Sequence, residues 1–278
     1  MKLSVILGGR DDNYGENFIE RLSQATINNL NVLDESGIDY EIIVVDFNPI
    51  GESYLHKNEL LKETLSHPKI KNLIVDNSVI LAENLSPKTY YEYFAKNAGI
   101  RHSDGDFIFV TNSDIMLSKE LIETIKNEMQ NEDIDKHFYR VRYRGEIDLG
   151  TTPDSSTELL DVHMPHLPDA CVCGMCSGDA SIFSRKVMLE VATGYNEGEP
   201  NHRTSANHSH MDSEILWNCY KKGKFLKFLE NPYYHIAHGR PHVRDGFYGT
   251  EIYTNREDWG FVSYPSTKIN ENTTHITA

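Results

Sequence analysis

The sequence predicts an α/β protein whose central sheet is mixed but mostly parallel, with helices on both faces. In the first half of the chain, short apolar runs typical of buried strands alternate with segments of helical periodicity. Because helix-length segments separate the strands, successive strands are expected to pair in parallel through right-handed crossovers. Such crossovers place helices on both sides of the sheet.

The first strand is the apolar run LSVIL at 3–7, and residues 17–37 have a helical pattern that ends at Gly37. A buried strand follows at 40–47. The next patterns predict a helix, a strand, a helix and a strand, at 56–67, 70–76, 89–103 and 105–111. The second half is less regular, with a strand leading into a helix at 180–197 and a polar loop at 198–210. A short helix then begins at 211 and closes at Gly223, and a strand enters a His-rich turn at 224–242.

Polar clusters follow three of these strands, at 8–12, 46–48 and 112–114. In parallel sheets, ligands bind outside the carboxyl ends of the strands. A single acid at a strand end often only begins a turn. Three polar clusters at corresponding places instead favour one shared binding crevice.

Charge and length exclude several classes of protein. The chain has 278 residues, with 27 Lys and Arg against 42 Asp and Glu, so its net charge is −15. This charge opposes binding to nucleic acid or to an anionic membrane. No segment approaches the roughly 18 apolar residues of a membrane span. The first apolar run is too short for a signal peptide. We therefore expect a cytoplasmic protein.

The cysteines are few for a chain of this length. A disulfide framework is not expected, so we expect the protein to be located in a reducing compartment. Cys171, Cys173 and Cys176 are close to His163 and His166, so a structural zinc site is one interpretation. The usual paired Cys spacing is missing, and buried free cysteine is common.

Four sequence blocks resemble the GT-A fold glycosyltransferases, particularly the large inverting family. They are SVILGGRDD, EIIVVDFNP, AKNAGIRHSDGDFIFVTNSDIMLS, and SGDASIFSRKVMLEVATGYNE with MDSEILWNCYKKGKF. They cover residues 3–225 in the order expected for that family. The resemblance implies one catalytic domain at 1–265, with a nucleotide-binding half at 1–118 and an acceptor-binding half at 119–265. Residues 266–278 are polar and are expected to form a flexible tail.

The resemblance implies transfer of a sugar from a nucleotide-diphospho-sugar, UDP by analogy, to a hydroxyl acceptor with inversion. Mn²⁺ or Mg²⁺ is the implied cofactor. The nucleotide and donor-sugar candidates are Gly8, Arg10, Asp11, Asp46, Asn97, Asn112, Asp179 and Arg240. Gly8 and its neighbour do not form a P-loop, because no Lys and Ser or Thr follow them.

Asp114 is the predicted metal ligand, because it occupies the second acidic position of the D-x-D sequence of that family. Asn112 stands at the first position and offers only a neutral oxygen. In metal-dependent relatives a late His often completes the coordination. His235, His238 and His242 are available, and His238 is the choice. A polar surface or satisfied core rings would also explain these His residues.

An inverting transfer needs a carboxylate base. Asp212 matches that position in the family best, and Glu214 is second. A structural alternative is a capping box at 209–212, and Glu214 is also a favourable first-turn charge of a helix.

Two other functions compete with this one. A catalytically degenerate GT-A-like protein would bind a glycan or nucleotide without turnover, and Asn112 favours that hypothesis. A nucleotidyltransferase is disfavoured because no Gly-rich loop carrying a Lys follows the first strand.

Overall fold

The computed structural model describes residues 1–162, 180–197, 211–239 and 254–278. Its strands are, in chain order, β1 (Lys2–Gly9), β2 (Asp39–Phe47), β3 (Ile70–Val75), β4 (Phe107–Thr111), β5 (Ile115–Leu117), β6 (His137–Val141), β7 (Tyr143–Ile147), β8 (Leu159–Asp161), β9 (Ala180–Ser184), β10 (Phe225–Leu229), β11 (Tyr233–Ile236), β12 (Ser266–Asn270) and β13 (Thr273–Ile276).

The α-helices are α1 (Phe18–Ser36), α2 (Lys62–Leu65), α3 (Asn77–Ala82), α4 (Glu92–Arg101), α5 (Lys119–Glu128) and α6 (Met211–Lys221). Short 3-10 turns occur at Leu55–Lys57, Ile134–Lys136 and Trp259–Phe261, and a π-helical turn occurs at Val187–Ala192. None of the helices in the described ranges is long and apolar enough to cross a membrane.

The main sheet has nine strands in the order β10-β6-β9-β4-β1-β2-β3-β13-β12. From β4 through β1, β2 and β3 to β13 every pairing is parallel, whereas β9 runs antiparallel to both β4 and β6. A smaller sheet has the order β5-β11-β7-β8. This arrangement confirms the predicted mixed, mostly parallel α/β sheet.

Alternate residues of β1 enter two separate cores. Leu3, Val5 and Leu7 pack on the face that α1 and α5 cover, and Ile6 packs on the face that α4 and α6 cover. Side chains alternate across a strand, so a strand with apolar residues at almost every position is stable only with both faces covered. The predicted helices on both faces are confirmed.

The helix predicted at 56–67 is wrong. The segment contains a 3-10 turn and the short α2 instead. The carboxylate of Asp46 accepts a hydrogen bond from the backbone N–H of Leu55 at 2.8 Å. Leu55 and Leu61 are buried in the core. These contacts hold the segment against the end of β2, which prevents one continuous helix.

Residues 266–278 are not a flexible tail. They include the hairpin β12–β13, and β13 pairs in parallel with β3 from Thr273 opposite Asn72 to Ile276 opposite Val75. The prediction missed this hairpin because its sequence lacks an apolar run. The stabilisation comes from backbone hydrogen bonds to the edge of β3 and from two buried side chains, Thr273 and Ile276, of which only Ile276 is apolar.

Ile276→Ala is therefore expected to lower the free energy of unfolding by about 2–4 kcal/mol, the usual effect of truncating a buried Ile. Ile269→Ala is the matched control, because Ile269 lies in the same hairpin and is 51% exposed. Its effect should stay within about 0.5 kcal/mol. Urea unfolding of both variants measures this difference, and equal effects would contradict the docked hairpin.

Candidate functional site

Asp114 lies between β4 and β5, at the carboxyl edge of the main sheet. Strand β11 runs antiparallel to β5, with His235 opposite Ile115. The backbone N–H of Ile236 donates to the carbonyl of Asp114 at 3.0 Å. Strand pairing therefore fixes His235, and His238 shortly after it, beside the Asp114 carboxylate.

Asp114, His235 and His238 form one cluster with a ligand atom from each within 4.8 Å of the others. Oδ2 of Asp114 lies 3.2 Å from Nε2 of His238 and 3.8 Å from Nε2 of His235. Two atoms that bind one ion at about 2.1 Å and at right angles are about 3.0 Å apart. Oδ1 of Asp114 is buried and makes no hydrogen bond to the described residues. This cluster has the spacing and the open carboxylate oxygen that a cation site requires.

Both imidazoles are oriented by hydrogen bonds at Nδ1. His235 Nδ1 lies 2.7 Å from Oε2 of Glu146, and His238 Nδ1 lies 2.9 Å from the carbonyl of Gly239. Arg144 in turn pairs with Glu146. An acceptor at Nδ1 favours the tautomer that leaves Nε2 available to a metal, and metal-binding His residues commonly have such partners. The hydrogen bond to Asp114 raises the pKa of His238 above its ordinary value.

Arg21 connects this cluster to the loop after β1. Its buried guanidinium donates to the carbonyls of Tyr14 at 2.7 Å and Gly15 at 3.2 Å, and also to that of Glu16. Nε of Arg21 lies 3.6 Å from Oδ2 of Asp114. One cation therefore fixes the loop and partly balances the charge of the Asp114 carboxylate.

Gly15 allows the loop to approach the histidines. Its φ is +66°, and a Cβ at this position would collide with the ring of His238. A cavity of about 240 Å³ lies beside them, lined by Gly15, Glu16, Asn17, Arg21, Leu149, Ala237, His238 and Gly239.

Gly8 lies near the end of β1 and Arg10 directly follows this strand, and each has contacts inside the protein. Arg10 donates to Oδ2 of Asp12 at 3.0 and 2.7 Å, and its guanidinium lies 5.9 Å from the ring centre of Tyr90. A Cβ on Gly8 would lie 2.8 Å from the hydroxyl of Tyr90. Packing alone thus accounts for glycine at position 8, while the half-buried Asp11 next to Arg10 remains a candidate nucleotide contact.

Asp46 is buried at the end of β2. Burial raises its pKa to about 7, the hydrogen bond from Leu55 opposes this shift, and the charge of Asp11 adds to it. Its Oδ1 has no hydrogen-bond partner among the described residues. A carboxyl group with an open oxygen and this pKa can accept a hydrogen bond when ionised and donate one when protonated.

The raised pKa predicts a stability loss between about pH 4 and 7. In this range folded Asp46 holds a proton that an unfolded Asp releases near 3.8, so the free energy of unfolding falls as pH rises. Asp46→Asn keeps an acceptor for Leu55 and cannot ionise. Its stability relative to wild type is expected to grow by about 2 kcal/mol from pH 5.5 to 8. Urea unfolding at both pH values tests this, with Asp39→Asn, exposed in the same strand, as the control. The same pH dependence in both variants would contradict it.

Asp212 lies in the first turn of α6. The hydroxyl of Tyr93 donates to its Oδ2 at 2.9 Å, and its Oδ1 is buried without a hydrogen-bond partner among the described residues. Glu214 instead accepts a hydrogen bond from the amide of Asn196 at 3.0 Å. The geometry thus favours Asp212 over Glu214 as the carboxylate with an available oxygen.

The amide of Asn97 is used inside the protein. It donates to the Tyr195 carbonyl at 2.8 Å and to Glu197 at 2.9 Å, and it accepts from the Tyr195 N–H at 2.7 Å. These bonds favour a structural role for Asn97 over the predicted nucleotide contact.

Asn112 is half-buried at the end of β4. The remaining predicted site residues, Asp179 and Arg240, lie outside the described residues, as do the possible zinc ligands Cys171, Cys173, Cys176, His163 and His166 and the alternative metal ligand His242.

Solved structures of S. aureus TarS share this fold. TarS 1–349 in complex with UDP-GlcNAc has a TM-score of 0.52 and 13% sequence identity, with 89% of this chain and 62% of that chain covered. The UDP complex of the same protein has a TM-score of 0.51 and 13% identity over 85% of this chain and 61% of that chain. No family model and no curated sequence matches the chain.

This chain therefore has the GT-A fold, as the sequence predicts. It spans about three fifths of the length of the TarS 1–349 chains that it matches. In an open α/β sheet the ligand site lies at the carboxyl ends of the strands, and Asp114 and Asp46 both lie at this edge.

Proposed function

We propose that the chain is a metal-dependent glycosyltransferase that moves a sugar from a nucleotide-diphospho-sugar to a hydroxyl acceptor. The cluster of Asp114, His235 and His238 carries this proposal, because it places one carboxylate and two imidazoles at the ligand edge of a GT-A sheet. Asp114 keeps its buried Oδ1 without a hydrogen-bond partner among the described residues, and both rings present Nε2 to its Oδ2.

The residues fit a divalent cation of the transition series. Imidazole nitrogen suits first-row transition ions, whereas Mg²⁺ prefers oxygen ligands. Of the two predicted cofactors, the donor set favours Mn²⁺ over Mg²⁺. When bound, such an ion neutralises the charge that grows on the leaving diphosphate. The residues that would hold it are Asp114, His235 and His238, with Glu146 and Gly239 orienting the two rings.

UDP is the proposed nucleotide. The TarS structures with UDP-GlcNAc and UDP support this choice. In this chain, Asp46 is the proposed partner of the nucleobase, because its open oxygen can accept an N–H from uracil when the carboxyl group is ionised. Arg10 and Asp11 lie on the adjacent loop, where they can contact the ribose or diphosphate.

Asp212 is the proposed base. The acceptor hydroxyl oxygen forms a bond to the anomeric carbon, and the bond from that carbon to the diphosphate oxygen breaks. The electron pair of the broken bond leaves with the nucleoside diphosphate, and the acceptor proton passes to Asp212. Attack on the face opposite the leaving group inverts the anomeric configuration. A positioned base of this kind contributes about 10²- to 10⁴-fold to the rate.

A donor panel tests the proposal. The full chain is incubated with UDP-, GDP-, CMP- and dTDP-sugars in Mn²⁺, Mg²⁺, Co²⁺ or EDTA, and released nucleotide is measured. We expect release from a UDP-sugar that requires Mn²⁺ or Co²⁺ and is absent in EDTA. Silence with every donor, and no rise in melting temperature with any nucleotide, would overturn it.

A second candidate function is nucleotide or glycan binding without turnover. Asn112 favours it, because the first acidic position of the D-x-D sequence has lost its charge. A nucleotide-induced rise in melting temperature without nucleotide release from any donor would support this function.

A further inference from the structure

Asp212 belongs to a partly buried polar cluster to which α4 contributes Tyr93. Tyr93 donates its hydroxyl hydrogen bond to Oδ2, on the opposite side of the carboxylate from the open Oδ1. Both residues come from segments far apart in the chain, since 119 positions separate them. The contact therefore exists only in the folded protein, and it holds the carboxylate in one orientation.

Lys96 lies one helical turn after Tyr93 and is 1% exposed. Its Nζ is 2.5 Å from Oε1 of Glu92, 5.3 Å from the ring centre of Tyr93 and 5.7 Å from that of Tyr195. Burial lowers the pKa of Lys96, but the charges of Glu92 and Asp212 outweigh burial and raise it above its ordinary range. The side chain is thus a cation held inside the protein, against the rings of Tyr93 and Tyr195.

Tyr93 is held in its neutral form, which can donate a hydrogen bond. Burial, followed by the charge of Asp212, raises its pKa well above the ordinary value of tyrosine. It therefore remains a hydrogen-bond donor over the whole working pH range. Among the described residues, Tyr195 and Arg140 are the other ionisable groups near this cluster: Arg140 donates to Ser181, and the charges of Arg140 and Lys96 both act on Tyr195.

Burying an ammonium group costs free energy of desolvation unless opposite charges or hydrogen bonds compensate its charge. The ion pair with Glu92 does not by itself explain why Lys96 is buried, because the Glu92 side chain is 41% exposed and could pair with a solvated cation instead. Burial of Lys96 against the rings of Tyr93 and Tyr195 places a fixed positive charge next to Tyr93, whose hydroxyl is the fixed donor on one oxygen of the Asp212 carboxylate. Such an arrangement of a donor, a cation and one open acceptor oxygen is typical of a preorganised functional group.

We propose that Tyr93 and Lys96 are positioning residues for Asp212, which hold its carboxylate so that Oδ1 alone receives the acceptor proton. This inference rests on the proposed glycosyltransferase function. Helix α4 packs against β1 and would also support the base, Asp212.

The test compares Tyr93→Phe with wild type in the cleavage and transfer of the UDP-sugar that the donor panel identifies. We expect kcat to fall about 10- to 100-fold with the donor KM unchanged within twofold, because the donor site is not altered. Tyr40→Phe is the matched control: its hydroxyl also donates to an aspartate, Asp34 at 2.6 Å, but at the opposite end of the sheet. Its kcat should equal that of wild type.

Lys96 variants give a second measurement that a loss of fold would not mimic. Lys96→Met should lower kcat to a similar extent as Tyr93→Phe, and Lys96→Arg, which keeps the charge, should restore most of it. Equal loss in the Met and Arg variants, or a Tyr93→Phe enzyme with wild-type kcat, would overturn the positioning role while the glycosyltransferase function stands. A wild-type protein that cleaves no donor would overturn both.

Discussion

Asparagine in place of Asp114 is expected to lower the rate of donor cleavage by about 10³-fold. The amide keeps the shape of the carboxylate, so the variant should fold. It removes the only negative charge of the cluster formed with His235 and His238. A metal held by two neutral imidazoles and an amide would bind weakly, and the leaving diphosphate would lose most of its charge stabilisation.

The control for this variant is Asp104→Asn, which removes an exposed carboxylate just before the other end of β4. An exposed ion pair such as that of Asp104 contributes at most about 1 kcal/mol, so cleavage should not change. Comparable activity of Asp114→Asn and wild type, at saturating Mn²⁺ and with the same melting temperature, would remove Asp114 from the reaction.

Asp212→Asn is expected to reduce transfer by about 10²- to 10⁴-fold while leaving nucleotide binding intact. The amide oxygen can still accept the hydrogen bond from Tyr93, so the local fold is retained. The variant cannot accept the acceptor proton. The measurements are kcat for transfer and the rise in melting temperature with UDP and Mn²⁺, which should match that of wild type.

Glu214→Gln provides the comparison, because Glu214 lies in the same turn of α6 and its carboxylate already accepts a hydrogen bond from Asn196. Its transfer rate should fall much less. If the loss were larger in Glu214→Gln than in Asp212→Asn, the base would have to be reassigned to Glu214.

The fold was predictable where apolar patterns are strong. The alternation of LSVIL, the helix ending at Gly37 and the next buried strand gave the parallel sheet and its crossovers, and the αL conformation of Gly37 confirms the helix end. The hairpin at 266–276 escaped prediction because its pairing with β3 depends on backbone hydrogen bonds, which a polar sequence does not reveal.

The site was predictable in part, because strong apolar patterns locate the ends of the strands. Asp114 and Asp46 follow apolar strands, so the strand-end rule found them. His235 was available in the sequence, but only its register opposite Ile115 places it beside Asp114. Arg21, Tyr93 and Lys96 carry no sequence signal, because each lies in a helix with ordinary spacing. Arg21 and Tyr93 become notable only through contacts with Asp114 and Asp212, which come from distant segments, and Lys96 becomes notable only through its burial against Tyr93.

The central claim is most directly tested by calorimetric titration of Mn²⁺ into the full chain in the presence of UDP, for wild type and Asp114→Asn. The proposed site predicts one Mn²⁺ per wild-type chain and at least about tenfold weaker binding in the variant. Equal Mn²⁺ affinity in the two proteins, or UDP binding that is the same in Mn²⁺ and in EDTA, would contradict it.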